Sequence, residues 1–427
     1  MAKFILLIVI LFSLQCTTPL KNNSILNTKP SVLQGLTTEK TSQFTVVRHK
    51  NQKFTYIFAP ELKLNITTKS FQKSDWFVDQ LVIDGLELNK NYELKIKNKS
   101  NNIIDQRKFQ AFNTKKLIHK ISIASCMDDR FKKEQKHMWQ QFINQKSDLH
   151  FFIGDNVYGD VNVAQKGMAK PEELWQRYID TRLKLDIYKA DYLTPTLATW
   201  DDHDYGNNGG GINYPYKKQS KKIFNSFFPQ QTTNSSIYQK GPGISFMFSS
   251  GGQNYYFLDN RTFRTNSKAK VDFHLGQLQE DWLFNLLKNQ KGFSWLINGN
   301  QFFGGYQRFE SFEKNHPNNF KKFVAKLKII KNKVGFISGD RHLFEVMEIK
   351  KPDLNYSTIE ITTSAIHAKV YPSSWEKSPN PRQLSGVAQK HNFATLETKT
   401  IPQGAQINLK GFGPNNEVFY ELNKEIR

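Results

Sequence analysis

Three short segments constrain this chain most: Gly154-Asp155-Asn156-Val157-Tyr158, Trp200-Asp201-Asp202-His203-Asp204 and Ser338-Gly339-Asp340-Arg341-His342. Each follows a mostly apolar run (149–153, 196–199 and 334–337) that reads as a buried strand. Each then sets carboxylates and a His or Tyr where a strand would end. Open α/β sheets bind ligands outside the carboxyl ends of their strands, and converging Asp, His and Tyr make a metal site there. From residue 117 onward, strand-like runs alternate with helical spacing. The periodicity predicts helices over 132–144, 171–186 and 275–287, the last with Leu278, Trp282 and Leu286 on one face. The expected fold is α/β: a four-layer sandwich of two mixed sheets packed face to face with helices outside.

The region before it reads differently. From about Ser42 to Ala111 the pattern alternates and is punctuated by turns, with strands expected at 44–47, 56–58, 77–83, 92–96 and 106–112. A small β-sandwich is expected over 41–114, and its Leu86-to-Tyr92 stretch resembles fibronectin type III-like modules. The larger unit then spans 115–427. Residues 17–40, rich in Thr, Asn and Lys, read as a tether.

Ahead of the tether, Lys3 precedes an apolar run of eleven residues, Phe4 to Leu14. That is about half the ~20 residues needed to span a bilayer, and it fits the apolar part of an export signal. Cys16 at its end resembles the lipid-modified cysteine of bacterial lipoproteins, although Ser13 and Gln15 depart from the usual pattern. The expectation is export to the periplasm or cell envelope, with attachment to a membrane through lipid on Cys16. The only other cysteine, Cys126, then has no disulfide partner in the chain.

The formal charge of +22 favours anionic partners. Lysine is scattered rather than clustered, and no zinc-finger spacing, RNA-binding signature or phosphate-binding Walker loop is present. No specific nucleic-acid partner is expected, and the chain is expected to be a monomer.

Ala124-Ser125-Cys126, the Gly154, Trp200 and Ser338 segments, and Leu258-Asp259-Asn260-Arg261-Thr262-Phe263-Arg264 occur in the order seen in the alkaline phosphatase D family. Leu275-Gly276-Gln277-Leu278 with Trp282-Leu283 is similar to a helix of that family. The resemblance covers roughly 115–365 and places the chain among calcineurin-like metallophosphoesterases. It implies an exported phosphoesterase that hydrolyses mono- or diesters with two or more metal ions. In that family's pattern Asp155 bridges the cations. Cys126, Tyr158 and His342 complete a first site suited to Fe(III), with Tyr158 as phenolate. Asp202, Asp340 and Asn300 supply hard oxygens to a second site suited to Ca²⁺, Mg²⁺ or Mn²⁺. His203 is the proton donor, Asp204 orients its ring, and Arg130 and Arg341 meet substrate phosphate. For Arg261 and Arg264, an internal ion pair with Asp259 outweighs substrate contact. The competing expectation is a surface-anchored lipoprotein that binds anions or nucleic acid with a phosphoesterase-like domain and no turnover.

Overall fold

The computed structural model describes residues 29–427 apart from 268, 308 and 372–378, and only the backbone at 385–388. The export run, Cys16 and the first half of the expected tether lie outside the described residues. The remainder of that tether is not one. Ser31–Thr37 is a strand buried along its whole length and paired antiparallel with Thr41–His49. A strand covered on both faces shows no alternation, so its composition resembled a linker.

Seven strands between Ser31 and Gln110 form a four-stranded and a three-stranded sheet. Phe44, Val46, Leu81 and Ile83 face Phe58, Tyr92, Leu94, Ile96 and Phe109 across a shared core. Lys63–Ser70 was not legible as a strand, because it is a mostly exposed edge with no apolar face. The Tyr92 hydroxyl accepts from Glu87 N–H at 2.8 Å, a tie that pins a sandwich corner.

The larger unit has a six-stranded and an eight-stranded sheet. In the first, His119–Ala124, Leu149–Ile153 and Thr196–Thr199 are parallel. In the second, Gln253–Phe257, Phe293–Asn298, Val334–Ser338 and Thr358–Thr363 are parallel. Ile121, Phe151 and Leu197 of one sheet pack on Phe257, Trp295 and Ile337 of the other. Helices Lys132–Asn144, Pro171–Lys184 and Lys217–Phe227 cover the outer face of the six-stranded sheet through Trp139, Tyr178 and Phe224. Gln277–Asn289 and Pro317–Ile329 cover the eight-stranded sheet through Leu283, Leu287 and Phe323. The four layers are those expected.

The apolar face of Gln277–Asn289 is not wholly inward: Trp282 and Leu286 pack partly on the core. Leu278 is 68 % exposed, while Gln279, Glu280, Leu283 and Leu287 are buried. Gln279 Nε2 donates to the Asp259 carbonyl at 2.7 Å and its Oε1 accepts from Asp259 N–H, so a polar side chain holds the inward position. The three antiparallel strands Phe393–Ile401, Gly404–Phe412 and Val418–Ile426 extend the six-stranded sheet beside His119–Ala124.

The sandwich is welded to the larger unit. Leu36 N–H donates to the Pro229 carbonyl at 2.9 Å. A Cβ at Gly35 would lie 2.0 Å from that carbonyl oxygen, so only glycine permits the approach. Arg182, fully buried, donates to Ser31 Oγ, Thr45 Oγ1, the Thr45 carbonyl and the Phe227 carbonyl at 3.0–3.1 Å. A cavity of about 690 Å³ at this seam is lined by His119, Asp148 and Thr196, at the N-terminal strand ends.

Candidate metal centre

The chemistry lies at the other ends of the same strands. Strand His119–Ala124 runs into Cys126, Leu149–Ile153 into Asp155, Thr196–Thr199 into Asp202 and His203, and Val334–Ser338 into Asp340 and His342. Two triads form there: Cys126, Asp155 and His342, and Asp155, Asp202 and His203. Within each, the ligand atoms lie within 4.8 Å of one another. Asp155 belongs to both.

The backbone is bent to make this possible. Gly154 has φ +92°, and a Cβ there would meet Asp201 Cβ at 2.9 Å. Cys126, Asp155, Asp340 and His342 have φ of 56°, 52°, 65° and 52°, in the left-handed region that Gly occupies freely, that Asn, Asp and His enter uncommonly and that Cys enters more rarely still. Such strain clusters where function requires it.

In the first triad the Cys126 thiol faces Asp155 Oδ2 at 3.5 Å and accepts from Ser364 Oγ at 3.0 Å. The Tyr158 hydroxyl lies 3.3 Å from His342 Nε2. His342 Nδ1 donates to the Lys369 carbonyl, which fixes the ring and leaves Nε2 toward the cluster. In the second, Asp202 Oδ1 accepts from His203 N–H at 2.9 Å and Oδ2 from Gly209 N–H at 2.7 Å.

His203 is oriented by a residue the sequence did not single out. Its Nδ1 meets Asp160 Oδ1 at 2.5 Å, and its ring stacks on Tyr158 at 4.2 Å between centroids. Asp204 does not touch the ring. Its carboxylate accepts from Val157 N–H and Asp201 N–H, both at 3.0 Å, and closes the capping box of the one-turn helix Asp202–Tyr205. The acid next to His203 in the chain therefore builds the turn, and the acid next to it in space holds the imidazole.

The other candidates divide. Asp340 is half-buried, within electrostatic reach of Asp201 and Asp202, and belongs to neither triad. Asn300 is buried, donating to Glu310 at 2.9 Å and accepting from Asn298 at 2.8 Å. Arg130 is half-exposed and locked to Asp128 at 2.5 Å. Arg341 is buried over the Phe309 ring at 4.5 Å, and its Nε has no partner among the described residues. Arg261 and Arg264 are internal ion pairs as expected, with different partners: Arg261 binds Asp201 and Glu310, and Arg264 binds Glu310. Asp259 instead accepts backbone N–H groups and the Trp200 indole N–H at 2.9 Å.

The electrostatics describe a pocket short of positive charge. Burial pushes Asp155 well above the carboxylate range, and the charges of Asp202, Asp201 and Asp204 push the same way. Burial, then Asp201 and Asp202, raises Asp340 to about 7. Cys126 and Tyr158 rise through burial and neighbouring acids. Asp202 alone is held low: Arg261, His203 and the Gly209 N–H together outweigh its burial. Asp155 Oδ1 is buried with no hydrogen-bond partner among the described residues. An orphaned carboxylate oxygen among clustered acids, a thiol and a phenol fits a pair of cations, which would reverse each upward shift.

The sequence pattern of the family described as PhoD-like phosphatase matches residues 121–409. Among solved structures, one described as that of PhoD aligns with a TM-score of 0.64. It covers 95% of this chain and 93% of its own at 15% identity, a likeness of fold. No curated protein matches the chain in sequence.

Proposed function

This chain belongs to the PhoD-like phosphatase family and is a phosphoric ester hydrolase, and on that premise we propose that it cleaves phosphate mono- or diesters outside the cytoplasm at a two-cation centre bridged by Asp155. The observation that carries this reading is the sharing of one carboxylate by two ligand triads. Cys126, Asp155, Tyr158 and His342 would hold the first cation, where thiolate and phenolate suit Fe(III). Asp155, Asp202 and Asp340 would hold the second, where oxygen donors suit Ca²⁺, Mg²⁺ or Mn²⁺. Bound there, a pair of cations would supply Lewis acidity toward the phosphoryl oxygens and would lower the pKa of water.

The chain's own residues do the rest. Asp160 fixes His203 through Nδ1, so Nε2 is the nitrogen that can hand its proton to the leaving oxygen as the P–O bond breaks. Arg341, buried with an Nε that has no partner among the described residues, would donate to a phosphoryl oxygen. Tyr158 stacks on His203 and restrains the ring's swing. Because His203 also falls within the second triad, it has a second reading as a ligand. The apolar run before Cys16 supports export and lipid attachment, which fatty-acid labelling lost in Cys16→Ser would test.

The deciding experiment is metal analysis beside turnover. Asp155→Asn should lower bound metal and reduce hydrolysis by roughly 10³ or more, and chelation should do the same to the wild type. His203→Asn should keep its metal as a donor and lose it as a ligand. Hydrolysis that survives chelation would overturn the reading.

A further inference from the structure

The wall of the centre does not end at the ligands. Tyr158 stacks on His203, its hydroxyl reaches His342, and the His342 ring is in turn stacked under Tyr371 at 5.4 Å and 25°. Tyr371 is 47% exposed and has Lys369 Nζ at 5.3 Å from its ring. One residue back along the ligand loop, the Arg341 guanidinium lies over Phe309, which is 37% exposed. A single exposed aromatic means little. Here two cap consecutive residues of the loop that also carries Asp340.

From this arrangement we infer that the site is built for phosphate esters bearing a planar ring, nucleoside or aryl, with Tyr371 as the principal stacking surface. The inference rests on the proposed phosphoesterase reading and names its substrate class. A phosphoryl group held by Arg341 and the triads cannot send its ester substituent inward, because Cys126, Asp155 and Tyr158 are buried there. That leaves the rim for the substituent, where Tyr371 and Phe309 are exposed. Ring-on-ring stacking of a base on an aromatic side chain strengthens binding by roughly tenfold or more and tolerates any flat π-system. The cationic Lys369 and Arg341 beside the two rings favour an anion joined to such a system.

The test compares ring esters with glycerol esters on the full chain, following products by chromatography. Adenosine 5′-monophosphate, phenyl phosphate and glycerol 1-phosphate serve as monoesters; dithymidylate, diphenyl phosphate and glycerophosphocholine serve as diesters. Tyr371→Ala should raise KM for ring esters roughly tenfold more than for glycerol esters, with kcat changing little, and Tyr371→Phe should restore it. A KM effect confined to adenosine and thymidine esters identifies nucleosides, and one shared by the phenyl esters identifies any aryl group. Equal loss on both classes, or loss of metal from Tyr371→Ala, would overturn the inference and leave Tyr371 a support for His342. Titration calorimetry with adenosine monophosphate against glycerol 1-phosphate reads the same preference without turnover. A wild type that prefers the nucleotide yet hydrolyses none of the six esters would strike the catalytic reading alone.

Discussion

Charge is buried both at the metal centre and at the seam between sandwich and catalytic unit, but on opposite terms. At the seam Arg182 meets neutral acceptors, two hydroxyls and two carbonyls, and lies over the Tyr188 ring at 4.5 Å. Burial lowers its pKa only to about 10, so it stays charged and its donors are used. At the centre, acids face acids: Asp155 Oδ1 and Asp201 Oδ2 are buried without partners among the described residues. A satisfied buried charge holds parts together. An unsatisfied cluster of one sign marks where a ligand of the other sign belongs.

The sharpest way to press this contrast is through the two acids around His203. Asp160→Asn, which spoils only the ring's anchor, should slow turnover by roughly 10–10² and draw the alkaline limb of the pH profile to lower pH, because His203 must be protonated to donate and Asp160 raises its pKa, with little change in thermal midpoint. Removing the ring itself should slow it by roughly 10²–10⁴. Asp204→Ala strands two buried N–H groups and should cost about 2–4 kcal/mol of stability, read by denaturant titration. If Asp204→Ala slows the folded enzyme as Asp160→Asn does, the division between turn-builder and ring-holder is wrong.

At the seam, Arg182→Met should destabilise by about 2–3 kcal/mol, since it leaves Ser31, Thr45 and Phe227 oxygens short of a donor. Metal content should not follow. A stable variant with depleted metal would break the comparison, for it would make the weld part of the centre.

The smallest expected effect concerns acid. His150, buried between Phe142 and Phe152 on strand Leu149–Ile153, is pushed down to about 3 by burial. The unfolded chain binds its proton near 6.5 and the folded chain does not, so stability falls as pH drops from about 6.5 toward 3. That loss should reach roughly 1–2 kcal/mol at pH 5 and shrink in His150→Phe, measured as urea midpoints at pH 7 and 5.

Much of this was legible before any coordinates. The Gly154, Trp200 and Ser338 segments end three strands, and Cys126, Asp155, Asp202, His203 and His342 do meet at one edge. Strand ends are readable because a buried parallel strand is a continuous apolar run and the residue after it must leave the sheet. What failed was anything decided by direction rather than position. Asp160 lies five residues after Asp155 in an unremarkable loop, and only the ring plane of His203 makes it matter. The partners of Arg261 come from residue 201 and residue 310, separations no local pattern encodes. The inward face of Gln277–Asn289 is set by hydrogen bonds of Gln279 and Glu280 to other elements, so a rule that apolar means inward would misplace Leu278.

The left-handed turns at Cys126, Asp155, Asp340 and His342 carry a consequence for descent. At each of them the backbone would be more at ease with glycine or asparagine, and at the two aspartates such a change would also remove a buried repulsion. Selection for the fold alone therefore pulls these positions away from the residues they hold, and only selection for the chemistry holds them. A descendant that kept the architecture and abandoned its reaction should be recognisable by drift to glycine or asparagine at these four places first.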